Sequence, residues 1–199
     1  MVMPDNNHSE EWVSEADLQE SLEMLKTRVG QINAVFACFG SAAQHAQFFE
    51  VALAEFLRDY NKIANEAITL QDLELMDQKL QKKTLGALLK EFSRYVTIKD
   101  PQVVQFLELA LDRRNFLMHH FFRERSTKLQ SEEGRMSLLS ELVSIDNLLQ
   151  EAAMIVRGMG IAISRAIAKQ SGSNEQTDDS DEKVLFTAEV KIPNDNDRA

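Results

Sequence analysis

The sequence predicts an all-α protein, an up-down bundle of four to six helices. Glycine and proline are scarce, at 7 and 3 of 199 residues. Helix-forming residues are common instead, and apolar residues recur at three- and four-residue spacing along most of the chain. Several of these periodic segments also begin with a residue type that caps helices.

The helices can be placed in order from these signals. Ser9 or Ser14 can cap the first, and Thr84 and Ser131 can cap two later ones. Asp100-Pro101 is a strong start, because a capping residue precedes proline at the first helical position. Gly40-Ser41 is expected to kink or split the second segment. The predicted helices span residues 9–30, 32–61, 70–81, 85–96, 101–123 and 131–169.

The chain divides into one helical domain with two flanking segments. Residues 1–8 are expected to be a flexible N-terminus, and residues 9–169 to form the bundle. From residue 170 the composition changes to Ser, Gly, Asn, Asp and Glu, which predicts an acidic, mostly disordered tail. Apolar residues alternate over 184–192, as in a short strand. We expect that segment to stay loose, with strand addition to another chain as the alternative.

Composition excludes several classes of protein. No apolar run approaches the ~18 residues of a membrane span, so no membrane partner is expected. The N-terminus lacks the basic and apolar regions of a signal peptide. A single cysteine, Cys38, cannot form an internal disulfide and is expected to be a buried structural thiol. A cytoplasmic protein is therefore predicted.

The net charge of −10 argues at first against a nucleic-acid partner. The acidic residues, however, concentrate at the two ends. Residues 1–23 carry seven acids and no Lys or Arg, and residues 171–199 carry eight acids against three bases. Within 113–128 there are five bases and one acid. This basic cluster is compatible with a phosphate-binding site and equally with a solvated helix end.

The segment Arg114-Asn115-Phe116-Leu117-Met118-His119 sets polar residues on an otherwise apolar helix. On an ideal helical wheel, one polar stripe occupies an arc of about 80° and consists of Glu108, Asp112, Asn115, His119 and Arg123. Arg114 lies instead near the middle of the apolar arc. An unpaired buried guanidinium costs several kcal/mol, so Arg114 needs either a carboxylate from another helix or a wet cleft between two subunits.

The pattern Arg114-Asn115-x-x-x-His119, late in the penultimate long helix, resembles the signature of the HEPN superfamily (higher eukaryotes and prokaryotes nucleotide-binding domain). The wider stretch from Thr84-Leu85-Gly86 to Gly134-Arg135 is similar to uncharacterised bacterial members. The resemblance implies a helical bundle, usually dimeric, in which the two motifs meet across the interface. Active members are metal-independent RNA endonucleases, many of them toxins or defence proteins, so a protein antitoxin is a further expected partner.

Carried over by position, the resemblance makes Arg114 the catalytic arginine, Asn115 the polar residue after it and His119 the catalytic histidine. Asn115, one turn before His119, could orient its imidazole. Because His120 follows directly, the choice of histidine stays open. The residues expected to bind RNA around this motif are Arg113, His120, Arg123, Arg125 and Lys128.

Two other functions remain open at this stage. The chain could be a non-catalytic helical interaction module in which Arg114 forms a structural ion pair, or a nucleotide-binding regulator. No metal is expected, because the four histidines lack zinc-site spacing. No cofactor is expected, because no glycine-rich phosphate loop is present.

Overall fold

The computed structural model describes residues 19, 22–64, 68–170 and 188–190, and it confirms the predicted all-α class. Residues 22–25 form one helical turn. The main helices are α1 (Arg28–Ala64), α2 (Leu70–Leu80), α3 (Leu85–Tyr95), α4 (Pro101–His119), α5 (Phe121–Arg125) and α6 (Glu132–Gln170). A 3₁₀ turn spans Ser126–Gln130, and two short strands are β1 (Val96–Ile98) and β2 (Ala188–Val190). No helix in the described part of the chain combines the length and apolarity that crossing a bilayer requires.

The two long helices, α1 and α6, run parallel along their whole shared length. Three contacts at increasing positions on both helices establish this direction. Arg135 Nε donates to Gln31 Oε1 at 2.8 Å, His45 Nδ1 lies 2.6 Å from Asp146, and Arg157 Nε lies 3.8 Å from Glu55. The return segment, α4 followed by α5, is antiparallel to α1, because Arg114 on α4 contacts Glu50 whereas Phe122 on α5 contacts Phe36. Arg125, at the end of α5, contacts Glu141 near the start of α6. This is the predicted up-down order.

A continuous apolar core lies between α1, α3, α4 and α6. Its largest fully buried side chains are Phe49, Phe92 and Phe121, surrounded by leucines from all four helices. Burial of a Phe or Leu side chain contributes about 1.5–3 kcal/mol each, so this contact is the main source of stability. α4 takes part through Val103, Leu107, Ala110 and Leu117.

The predicted caps are present at the helix starts. Thr84 Oγ1 accepts from the amide of Ala87 at 3.3 Å, and Asp100 Oδ1 accepts from the amide of Gln102 at 2.8 Å. Ser131 Oγ accepts from the amide of Gly134 at 3.0 Å. Each such bond satisfies a backbone donor that has no partner within the helix.

Two predicted helix limits were wrong. α1 is continuous through Gly40, so Gly40-Ser41 does not split it. The helix predicted over 101–123 ends at His119, because His120 leaves the helical conformation (φ −126°, ψ −25°). The break places Phe121 in the core, where it packs against Phe116 and Phe39.

The strand-like pattern over 184–192 has a partner that the sequence did not indicate. β2 pairs antiparallel with β1 of the same chain, with Val96 opposite Val190 and Ile98 opposite Ala188. This three-residue pairing replaces the expected loose segment or addition to another chain. The rest of the predicted tail and the predicted flexible N-terminus, residues 1–8, lie outside the described residues.

Substitution of two glycines by alanine should change the stability of the fold in opposite directions. A Cβ on Gly134, at the start of α6, would collide with the carbonyl of Lys128, whereas one on Gly40 would meet nothing within 4 Å. We therefore expect Gly134→Ala to destabilise the chain. Gly40→Ala should stabilise it by about 0.5–1 kcal/mol, because alanine is the better helix former. Urea unfolding of both variants measures the two changes, and a shift of the same sign for both would contradict the close approach at Gly134.

Candidate nucleic-acid interface

The end of α4 carries the motif, and its polar stripe is exposed as the sequence predicts. Glu108, Asp112, Asn115 and His119 are exposed, as is Arg123 on α5. The opposite side of α4 is fixed in the core by four buried apolar residues. The stripe therefore faces away from the single chain.

Arg114 has a partner on another helix. Its Nη2 donates to the carboxylate of Glu50 on α1, and its Nη1 donates to Asn115 Oδ1 at 3.2 Å. The Arg114 side chain is 20% exposed and that of Glu50 is 31% exposed, while Nε is buried and has no hydrogen-bond partner. The sequence allowed either a carboxylate partner or a wet cleft between subunits for Arg114. Within the single chain, Arg114 has the carboxylate partner.

The side chain of Asn115 contacts Arg114. Its Oδ1 accepts the hydrogen bond that Arg114 donates, and the orientation of the His119 imidazole by Asn115 stays a prediction. Asn115 and Glu50 hold the two terminal nitrogens of one guanidinium. The orientation of Arg114 is therefore set from both α1 and α4.

The two histidines differ in their surroundings. His119 is exposed, and its ring centroid lies 6.4 Å from that of His120. His120 Nδ1 lies 2.5 Å from Arg123 Nη2 and 3.6 Å from a carboxylate oxygen of Glu124. His119 is thus exposed to solvent, whereas His120 belongs to a local polar cluster at the helix break.

Arg114 and His119 do not converge within one chain. Five residues on a helix correspond to about 7.5 Å of axial rise and about 140° of rotation. Arg114 points toward α1, whereas His119 lies on the exposed stripe. A reaction that needs both groups at one phosphate requires a second chain or a large movement.

The five residues expected to bind RNA fall into two groups. Arg113 and Arg123 are exposed and, with the half-exposed His120, border the motif. Arg125 makes two 3.2 Å hydrogen bonds to Glu141 and lies over the Phe116 ring, and the Glu141 hydrogen bonds raise the pKa of its guanidinium. Lys128 donates to Ser137 at 3.1 Å. Arg125 and Lys128 thus tie the 3₁₀ region to α6.

Sequence reasoning missed a polar cluster between α1 and α6. Asp146 accepts from Ser41 Oγ at 3.2 Å and lies 2.6 Å from His45 Nδ1. His45, on α1, therefore lies against α6. Burial raises the pKa of the Cys38 thiol, and the Asp146 carboxylate raises that pKa further. Because the partners are about 100 residues apart, no local signal in one sequence could reveal the cluster.

An exposed face of α1 without charged side chains lies beside Arg114. Between Arg28 and Glu50 the helix carries no Asp, Glu, Lys or Arg. The exposed residues on this side, here called the α1 face, are Val29, Asn33, Phe36, Ala37, Gly40, Gln44, Gln47, Phe48 and Val51. Phe36 is 51% exposed and Val51 is 44% exposed. Such a face is apolar enough to pack against another protein surface.

Away from the motif, the described part of the chain contains an apolar groove but no cluster of metal-binding side chains. No group of three or more His, Cys, Asp or Glu side chains there could hold a metal ion. An apolar groove of about 340 Å³ lies between α3, β1 and the start of α4, with Lys90 and Glu108 among its lining residues. On α4 it is lined by residues that precede the motif, from Val104 to Leu111.

Comparisons with protein-family models, with curated proteins and with solved structures each found no match to this chain.

The raised pKa of Cys38 gives a direct test of the α1–α6 cluster. At pH 8 we expect iodoacetamide to alkylate Cys38 more slowly than a free cysteine, because less of the thiol is ionised. Asp146→Asn should speed the reaction by removing the nearby negative charge, and Asp77→Asn on α2 is the matched control. The single cysteine makes mass spectrometry sufficient. Equal rates in all three proteins would contradict the placement of Asp146 beside Cys38.

Proposed function

We propose that this protein is a metal-independent RNA endonuclease of the HEPN type that acts as a homodimer. The observation that supports it is the arrangement at the end of α4, where Arg114 contacts Asn115 and His119 stands exposed beside Arg113 and Arg123. A fixed guanidinium, an open imidazole and neighbouring positive charge are the groups that RNA cleavage without metal needs.

In the proposed reaction, the RNA supplies its own nucleophile. The 2′-hydroxyl oxygen forms a bond to the adjacent phosphorus, and the bond from phosphorus to the 5′-oxygen breaks. His119 removes the proton from the 2′-hydroxyl and delivers it to the departing 5′-oxygen. Arg114 stabilises the negative charge that builds on the phosphate oxygens. The products are a 2′,3′-cyclic phosphate and a 5′-hydroxyl.

A dimer completes this site because one chain separates its arginine from its histidine. We propose that Arg114 of one chain acts with His119 of the other across a two-fold axis. The α1 face borders Arg114 and carries no charge that two copies would have to bury. Half-exposed Met118, next to the motif on α4, provides further apolar area. The same dimer would bring two sets of Arg113, His120 and Arg123 to one RNA.

The proposal extends to the protein's role in the cell. An endonuclease of this kind would act in the cytoplasm as a toxin or a defence protein, with an antitoxin protein as its partner. The α1 face and the exposed end of α4 are the surfaces that such a partner would cover.

One observation favours a second candidate, a non-catalytic interaction module. Arg114 already has a carboxylate partner in Glu50, as a structural ion pair would. In that case the α1 face would bind another protein, and the motif would have no substrate. The nuclease proposal differs from this alternative in requiring RNA turnover that depends on Arg114 and His119.

Substitution of the motif tests the two candidates. We expect the wild type to cleave RNA in EDTA, and Arg114→Ala and His119→Ala each to lower the rate at least about 100-fold, as for loss of a charge-stabilising or proton-transferring group. Arg58→Ala, an arginine on α1 away from the motif, is the control. Mass spectrometry should find 2′,3′-cyclic phosphate ends. Equal cleavage by all four proteins would refute the site, and a folded but inactive wild type would favour the interaction module.

A mixing experiment tests whether the site is shared. Arg114→Ala and His119→Ala chains are inactive alone, but a mixed dimer contains one intact Arg114–His119 combination across the axis. After exchange of subunits, random pairing should restore about a quarter of wild-type activity. No recovery, with mixed dimers demonstrated by native mass spectrometry, would mean that each site lies within one chain.

A further inference from the structure

Glu50 occupies an unusual place on α1. It is the first charged residue after Arg28, and it lies at the end of the α1 face. Its carboxylate accepts from Nη2 of Arg114, and both side chains remain partly exposed, at 31% and 20%. The one strong anion on this part of the helix therefore contacts the guanidinium of the motif.

The chemistry of that contact resembles phosphate binding. A carboxylate and a phosphodiester each offer anionic oxygens to guanidinium N–H groups, so they compete for the same donors. Nη1 of Arg114 is already hydrogen-bonded to Asn115, and Nε is buried. Nη2, which donates to Glu50, is consequently the guanidinium nitrogen that already binds an anionic oxygen.

We infer that Glu50 is an internal competitor of RNA, because its carboxylate holds the position on Arg114 that an RNA phosphate takes. This inference rests on the proposed function and names a regulation of that site. Binding is then an exchange of one anion for another. The Glu50 carboxylate must swing away, and its negative charge stays close to the phosphate.

The exchange predicts the effect of neutralising Glu50. In the paired state Arg114 contributes no net charge to RNA binding, whereas with Glu50→Gln its full charge is available. The pair is partly exposed, so losing it should leave the chain folded. The affinity for RNA should therefore rise in Glu50→Gln, and this increase should require Arg114.

The experiment measures binding without cleavage. The probe is a fluorescent 2′-O-methyl RNA oligonucleotide, which has no free 2′-hydroxyl and cannot be cleaved by the proposed reaction. We expect Glu50→Gln to lower the Kd about 3- to 10-fold at 50 mM salt and to steepen the salt dependence by about 0.7 in log–log slope, as one more phosphate contact would. Glu50→Asp, which keeps the charge on a shorter side chain, should fall between the wild type and Glu50→Gln.

Two matched controls separate this effect from general charge. Glu55→Gln makes the same change on the same helix, beside Arg157 instead of Arg114, and should lower the Kd less than Glu50→Gln. In the Arg114→Ala background, Glu50→Gln should give no gain beyond that of Glu55→Gln. Melting temperatures of all variants confirm that folded proteins are compared.

The outcomes distinguish this inference from the proposed function. If Glu50→Gln leaves the Kd unchanged or raises it, or if its gain persists without Arg114, the competition is refuted. Cleavage of unmodified RNA is measured separately. A wild type that binds the probe and gains affinity with Glu50→Gln, yet never cleaves RNA, would sustain the exchange of anions while refuting the nuclease.

Discussion

The parallel contact between α1 and α6 is the constraint on which the rest of the structure depends. Polar contacts fix the register of the two helices at two positions along their axes. Arg135 donates to Gln31 at one position, and Asp146 contacts Ser41 and His45 at the other. Arg135 is 5% exposed, and its Nη1 also donates to the Leu129 carbonyl at 3.0 Å. A slip of one helical turn, about 5.4 Å, would take the Gln31 acceptor away from the Nε of that buried guanidinium, at a cost of about 1–3 kcal/mol.

A parallel pair of long helices requires a return segment, and α4 provides it. Because α4 is antiparallel to α1 and is joined to α6 through α5 and the 3₁₀ turn, its last turns lie beside the middle of α1. The position along α1 at which Arg114 contacts Glu50 follows from that arrangement. The candidate site is therefore positioned by the α1–α6 register, although neither catalytic candidate belongs to those helices.

The sequence predicted the features that depend on neighbouring residues. Caps at Thr84, Asp100 and Ser131 and the exposed stripe of α4 are encoded within a few positions, and each was correct. The partners of Arg114 and Asp146 lie 64 and about 100 residues away and have no local signal. The break at His120 also escaped prediction, because the residues around it favour helix and the gain comes from burying Phe121 against α1. The β1–β2 pairing is long-range in the same way.

Energetics bear on why an arginine occupies position 114. It lies in the apolar arc of α4, and its side chain is only 20% exposed. A partly exposed ion pair contributes about 1 kcal/mol at most, while a buried Nε without a partner opposes folding by about 1–3 kcal/mol. Replacing such pairs by apolar residues is often neutral or stabilising. The fold alone would thus be served as well or better by an apolar side chain. An arginine that adds little or nothing to stability, with a carboxylate already on its Nη2, fits the proposed role of binding an anion from outside.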